Sequence, residues 1–446
     1  MPVEEAEARK VLERAVALSK ADEVEAWLSG GSQVLTRFAE NGIHQNVADR
    51  SYELTVRAAF GKRTARADTN RLDEAGIRAC VANAERLARL APEDPELLPE
   101  LGPQQYQEAI NWSDATASLE PEARADAVRA ITEPARRAGF ISTGYIEANA
   151  NSFAIANSKG LFAYSRNTST AFTTTVRTPD GTGSGWAGAS DNDWRRIDPR
   201  LLAERAIEKA RRSVNPVAIE PGRYTVVLEP TAVANLVQLI SGAVNARGAD
   251  EGRSFFSKAG GGNKIGEKVV DERVTLVSDP LDPRVPANTF GGDGMPTQKV
   301  TWIENGVVKN LAYDRFWAQK TGKAPVNAGG TLAMQGGTKS IEELVAGTER
   351  GILVTRFWYI RGVDPRTILF TGLTRDGTFL IENGKVTRPV KNLRYNESPI
   401  FMLNNLMDMG RPERVSASES GGPGQAIIVP PLKCRDFNFT STSDAI

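Results

Sequence analysis

The sequence predicts an α+β protein: an N-terminal unit of helices on a small sheet, a middle unit of mixed α/β structure, and a large, mostly antiparallel β domain at the C-terminus. Three observations predict it. Helical apolar recurrence is concentrated in the first half of the chain. Short strand-like runs separated by glycine turns dominate the second half. Proline-dense stretches around 92–103 and 216–221 interrupt every periodic pattern between them, and proline at that density breaks helix and sheet alike. The expected units are 1–91, 104–215 and 222–446, in line with the roughly 100–200 residues usual for a domain.

In order, Ala8, Val11, Leu12, Ala15, Val16 and Leu18 recur as on one face of a helix over 4–19. Strands are expected at Val24–Ser29 and Gln33–Phe38, split by Gly30-Gly31, and at Tyr52–Ala59 and Lys62–Ala67, joined at Gly61. Ile77, Val81, Ala84, Leu87 and Ala88 mark a second helix. Glu122–Arg137 is a third, and Phe140–Thr178 reads as strands with a turn at Asn157–Gly160. Asp198 as N-cap and Pro199 at the first helical position open a further helix. Beyond Pro221 come a strand at Tyr224–Leu228 and a helical stretch at Thr231–Ala246. Two hairpins follow, at Trp302–Val308 and Phe379–Val386, each turning on Asn-Gly, whose backbone suits the positive φ both turn positions need.

Composition narrows the function. Lysine plus arginine number 55 and aspartate plus glutamate 55, so the net charge is zero. That balance removes the cationic surplus on which a dedicated nucleic-acid or anionic-membrane binder depends. One histidine, His44, and two cysteines, Cys80 and Cys434, exclude a two-histidine zinc site, a zinc finger and an iron–sulfur cluster. The cysteines follow no ligand spacing and are expected as buried free thiols in a reducing cytosol. The acidic start Met-Pro-Val-Glu-Glu-Ala-Glu lacks the basic and apolar regions of a signal peptide. The most apolar stretch, 232–246, is interrupted by Asn235, Gln238 and Asn245 and is too short to span a bilayer. A soluble, cytoplasmic protein is expected.

Few segments suggest chemistry. Gly260–Gly266 lacks the Lys-Ser/Thr pair of a phosphate loop and is expected as a surface loop. Asp191-Asn192-Asp193 lacks the rest of a calcium loop and is expected as a solvated turn. Ser254 sits in Gly252-Arg253-Ser254, but the nucleophile pattern Gly-x-Ser-x-Gly fails at Phe256. The most unusual segment is Thr355–Arg361 with Val363–Thr367 and Thr371–Thr378, where aromatics alternate with arginines. Its residues Arg356, Arg361, Arg375 and Asp376 suit either ion pairs inside a sheet or a groove whose open strand edge receives an extended peptide.

At this segment the sequence resembles a known family. Arg356-Phe-Trp-Tyr-Ile, Asp364-Pro-Arg-Thr, Thr371-Gly-Leu-Thr-Arg-Asp-Gly-Thr-Phe-Leu-Ile-Glu-Asn-Gly-Lys385 and Pro389-Val-Lys-Asn-Leu-Arg394 resemble the C-terminal blocks of the TldD/PmbA family, and Glu40-Asn-Gly-Ile-His-Gln-Asn46 its N-terminal signature. The resemblance implies a cytoplasmic peptidase system for unfolded proteins and peptides. One paralogue, the TldD type, carries His-Glu-x-x-x-His and zinc; the TldE/PmbA type lacks the motif and pairs with the first. Here Gln238, Leu239 and Ala243 stand where the histidines and glutamate would be, and Cys434 falls later than the family's ligand cysteine. The resemblance therefore implies a zinc-less subunit, inactive alone and without cofactor. It would form a heterodimer with a TldD-type zinc subunit, act with it on unfolded polypeptide, and pair with itself when alone. A homodimeric peptide-binding scaffold and a metal-independent hydrolase using Ser254 are the alternatives.

Overall fold

The computed structural model describes residues 2–416 and 426–443. The first half is built on one six-stranded antiparallel sheet, ordered β3-β2-β1-β4-β5-β6. Its strands are β1 (Glu23–Ala39), β2 (Gly42–Phe60), β3 (Arg63–Thr69), β4 (Ile141–Asn157), β5 (Phe162–Arg177) and β6 (Ser184–Asp191). The central β1–β4 pairing runs from Glu25 opposite Asn157 to Phe38 opposite Gly144, so residues from the first and middle units share a single sheet.

Helices α1 (Glu5–Leu18), α2 (Glu74–Leu90), α3 (Asp114–Ala117), α4 (Pro121–Arg137) and α5 (Pro199–Arg212) belong to this half. Val24, Ala26 and Leu28 of β1 join the apolar cluster under α1 and α2. Val34 and Phe38 join the one under α4 and α5. All are even-numbered, and strand side chains alternate, so the helices cover one face. On the other face Trp27 and Ile155 pack against Leu101 and Tyr106 of the proline-rich arm and Phe290 from the second half.

Gly30-Gly31 does not split β1, contrary to expectation. A Cβ at Gly30 would lie 2.6 Å from Val3 Cγ2, and one at Gly31 would lie 2.2 Å from Asn151 Oδ1. These glycines admit close neighbours in a continuous strand rather than make a turn. The turn instead lies at Glu40-Asn41, with φ of 52° and 61°, so His44 sits in strand β2.

The second half holds two sheets. One has the order β10-β9-β8-β11-β20-β19. It comprises β8 (Leu276–Ser278), β9 (Val300–Glu304), β10 (Val307–Val308), β11 (Ala333–Met334), β19 (Glu413–Ser416) and β20 (Ala426–Val429). The larger has the order β13-β14-β17-β21-β7-β12-β15-β16, with β18 (Leu406–Met409) also against β21. Its other strands are β7 (Gly222–Leu228), β12 (Arg350–Val354), β13 (Phe357–Asp364), β14 (Leu369–Thr374), β15 (Thr378–Glu382), β16 (Lys385–Pro389), β17 (Leu393–Glu397) and β21 (Leu432–Thr442). All its pairings are antiparallel except β7 with β12. The fold is thus α+β, with the predicted antiparallel-rich C-terminal sheet. Both Asn-Gly hairpins form: Asn305 and Asn383 have φ of 49° and 51°, and Gly306 and Gly384 follow at 78° and 74°.

Helices α6 (Pro230–Val237), α7 (Ala246–Asp250), α8 (Arg315–Thr321), α9 (Ile341–Ala346) and α10 (Pro399–Asn404) complete this half. The single helix expected over 231–246 is broken. After α6 the chain makes a 3₁₀ turn, Gln238–Ile240, then passes Ser241-Gly242, both poor helix formers. Asn245 restarts a helix as the N-cap of α7, its side chain accepting from Gly248 N at 2.7 Å. Among the described residues, no helix is long and apolar enough to cross a membrane.

Candidate functional site

Strand β7 and helix α6 deliver Gln238, Leu239 and Ala243 to the wall of an open cleft of about 610 Å³. Asn245, Ser254, Ile368 and Phe370 complete much of its lining. Gln238, Leu239 and Ala243 do line one site, but an amide, an isobutyl group and a methyl offer no imidazole, carboxylate or thiolate. Zinc needs about three such ligands, so the residues present do not fit the ion. Gln238 Nε2 is buried there without a hydrogen-bond acceptor. Among the described residues, no three His, Cys, Asp or Glu side chains converge on a metal position. His44 lies exposed on β2. Cys434 lies fully buried on β21 opposite Val226 and Leu406, where burial pushes its thiol pKa up. Cys80 is buried too, its thiol raised to about 11 by desolvation first and by Asp68 second.

Ser254 also lines the cleft. Its hydroxyl donates to Ala243 O at 2.9 Å and accepts from Phe256 N at 3.2 Å. A nucleophilic serine needs a base to take its proton, and here that proton already rests on a carbonyl. The neighbouring Arg253 guanidinium is held by Glu251.

The arginine–aspartate residues divide. Arg356, Arg375 and Asp376 come together where β12 leads into β13 and β14 into β15. Arg375 N donates to Arg356 O at 3.2 Å and Thr355 N to Gly377 O at 3.1 Å, fixing the two connections side by side. Asp376 has φ 52° and Gly377 φ 132°, a reversal that glycine adopts without strain. Arg356 NH2 lies 2.9 Å from Asp376 Oδ2, with side chains 6% and 1% exposed. Arg375 Nε is 3.9 Å from the same oxygen. The Arg356 guanidinium lies 4.8 Å from the Trp186 ring and 4.9 Å from the Trp358 ring. Ser184 Oγ donates to Asp376 Oδ1. Ser184 and Trp186 belong to β6, so this cluster ties the N-terminal sheet to the C-terminal one. A cavity of about 480 Å³, lined by Ser184, Ser213, Asp376, Thr378 and Asn392, adjoins it.

Arg361 stands apart. It is exposed on β13, with its guanidinium 4.3 Å from the Tyr359 ring and NH1 donating to Ile360 O at 2.7 Å. Strand β13 is the edge of the large sheet, and Tyr359, 51% exposed, bulges there with φ 55°. From β13 the chain continues through Pro365 and Ile368 into the wall of the 238–254 cleft.

Sequence reading missed Ser184 and Trp186, whose partners lie more than 160 positions away. It also misplaced Asp191 and Asp193. Rather than a solvated turn, they are 6% and 8% exposed. Asp193 accepts from Arg195, and Asp191 Oδ2 lies 3.3 Å from Arg414 Nε on β19. Nothing near 191–193 signals a partner 223 positions away.

These features coincide with a known family. Residues 221–441 match the PmbA/TldA metallopeptidase C-terminal domain, and residues 100–214 match the PmbA/TldA metallopeptidase central domain. The chain therefore belongs to the PmbA/TldD metallopeptidase family. It is 25% identical over 343 residues to a metalloprotease of Methanothermobacter thermautotrophicus, spanning 71% of this chain and 72% of that one. It is also 25% identical over 273 residues to a metalloprotease TldD homolog of Haemophilus influenzae, spanning 57% and 55%. The crystal structure of TldE from Thermococcus kodakarensis has the same fold, with a TM-score of 0.85 at 19% identity over 97% of this chain and 100% of that one.

Proposed function

We propose that this chain is the zinc-less, TldE-type subunit of a two-subunit cytoplasmic metalloprotease. It pairs with a zinc-bearing TldD-type relative and presents unfolded polypeptide to it. The observation that carries this reading is the cleft at Gln238, Leu239 and Ala243, the positions to which the family resemblance assigns the zinc motif: among the described residues no set of metal donors converges there. Zinc hydrolysis needs ligands, an activated water and normally a carboxylate base, so catalysis would come from the partner. Strand β13 supports the substrate role, because its exposed Tyr359 and Arg361 offer an aromatic ring and a guanidinium that side chains of an extended peptide could meet.

Co-expression with a TldD-type relative tests the pairing. The expected product is a heterodimer carrying zinc in the partner and cleaving casein, whereas the chain alone does not cleave it and forms no complex with an unrelated zinc peptidase. A chain that ignores the relative would overturn the reading. Arg361→Glu is expected to weaken capture of unfolded casein several-fold while leaving the melting curve unchanged, since Arg361 is exposed. Unchanged capture would remove β13 from the site.

A further inference from the structure

The cavity of about 480 Å³ beside Asp376 lies on the seam between the two halves of the molecule. Among the described residues, it shares no lining residue with the 238–254 cleft. Its volume falls within the roughly 300–1,000 Å³ of small-molecule sites. One wall comes from the first half, where Ser184 N donates to Ser213 Oγ at 2.8 Å and Ser213 Oγ donates back to Ser184 O at 2.8 Å. The other comes from the second half, where Val390 N donates to Thr378 O at 2.8 Å. Val217 clamps the linker between them: its N donates to Pro389 O and its O accepts from Lys391 N, both at 3.0 Å. The space is preformed, its walls held by backbone hydrogen bonds.

The hydroxyls of this wall are unequally engaged. Ser213 Oγ both donates and accepts within the wall. Ser184 Oγ gives its one proton to Asp376 Oδ1, so toward a ligand it only accepts. Thr378 is 2% exposed, and among the described residues its Oγ1 has no hydrogen-bond partner. Burial of a hydroxyl in that state is unfavourable, and a ligand that pairs with it recovers the loss. Asp376 is already paired with Arg356, so its carboxylate does not select a cation. Among the described residues, no aromatic ring lines the cavity to stack on a flat apolar ligand. We propose that this cavity is a binding site for a neutral amide, whose N–H donates to Ser184 Oγ while its C=O accepts from Thr378 Oγ1. An amide carries that donor and that acceptor on neighbouring atoms. The exposed Asn215, also in the lining, presents a further donor and acceptor of the same kind. The backbone of a short peptide and a free small amide both supply this chemistry. Lys391 lines the cavity as well, which makes a small carboxylate the competing class. The site does not depend on pairing with a zinc-bearing relative.

Ligand-observed NMR titration of the full chain is the test, with acetyl-alanine amide as the peptide probe and acetamide as the free amide. Saturable binding of at least one is expected, with acetate and glycerol bound several-fold more weakly. Tighter binding of the acetyl-alanine amide assigns the site to peptide backbone, and binding no tighter than that of acetamide assigns it to small amides. Thr378→Val removes the hydroxyl and nearly keeps the shape. It is expected to weaken binding about fivefold, the worth of one hydrogen bond. The melting temperature is expected not to fall, because the hydroxyl lost had no partner. Ser254→Ala, in the other cleft, is expected to leave the affinity unchanged. No saturable amide binding, acetate bound as tightly, or an unchanged affinity in Thr378→Val would each overturn the inference. So would a melting temperature lowered by Thr378→Val, since the hydroxyl would then have a partner within the chain. Binding lost in Ser254→Ala instead would place the amide in the 238–254 cleft and overturn it too.

Discussion

The two groups of residues that stand out by motif end in opposite surroundings. Arg356 and Asp376, the residue types that advertise catalysis, are paired and buried, Arg356 between two tryptophans and Asp376 at the inner wall of the 480 Å³ cavity, and they link the halves of the molecule. Gln238, Leu239 and Ala243, chemically bland, line an open cleft. Charge locates a place where burial must be compensated, and that place need not be where substrate enters. Conversely, an open cleft can be lined by side chains that supply no metal ligand.

The comparison predicts unequal costs. Removing one partner of a buried ion pair leaves the other charge unsatisfied, so Asp376→Ala is expected to destabilise the fold by roughly 3–5 kcal/mol. Urea denaturation measures this, and a loss below about 1 kcal/mol would mean that the junction is not held by that pair.

A second buried cluster sharpens the contrast. Glu25 and Glu100 both approach Arg57, at 2.6 and 3.7 Å. Burial, opposed by Arg57 and reinforced by Glu100 and Asp293, raises the Glu25 pKa from 4.5 to about 7. A carboxyl that holds its proton longer folded than unfolded makes the folded state lose stability as pH rises between those values. Stability is expected to fall from pH 5 to 7.5 by up to about 3 kcal/mol from this group. In Glu25→Gln that part of the fall is expected to disappear. An equally steep profile in the variant would assign the dependence elsewhere.

The smallest effect belongs to the cleft. Ser254→Ala removes one hydroxyl hydrogen bond at a partly exposed position and is expected to cost about 1 kcal/mol or less. Any hydrolysis seen with a preparation should be indifferent to it. Loss of activity in this variant, with chelator harmless, would instead support a serine mechanism.

Much of this was legible in the sequence because it is local. The Asn-Gly hairpins, the Asp198 cap and the amphipathic helices each depend on residues within one or two turns. The cap forms as read, Asp198 Oδ1 accepting from Arg200 N at 2.9 Å. What stayed hidden is non-local. The pairing of β1 with β4 joins positions more than 100 residues apart. Gly30-Gly31 carried the composition of a turn, but its role is to let Val3 and Asn151 approach. The gathering of Gln238, Leu239 and Ala243 was readable only through the family resemblance, and the cleft around them includes Ile368 and Phe370 from a distant strand connection. Asp376 could be singled out, but its partner Ser184 could not, because nothing near 184 signals a carboxylate 192 positions later.

The most direct measurement is the zinc content and casein hydrolysis of the purified chain alone, with and without chelator. No stoichiometric zinc and no chelator-sensitive cleavage are expected. One zinc per chain together with chelator-sensitive cleavage would contradict that expectation.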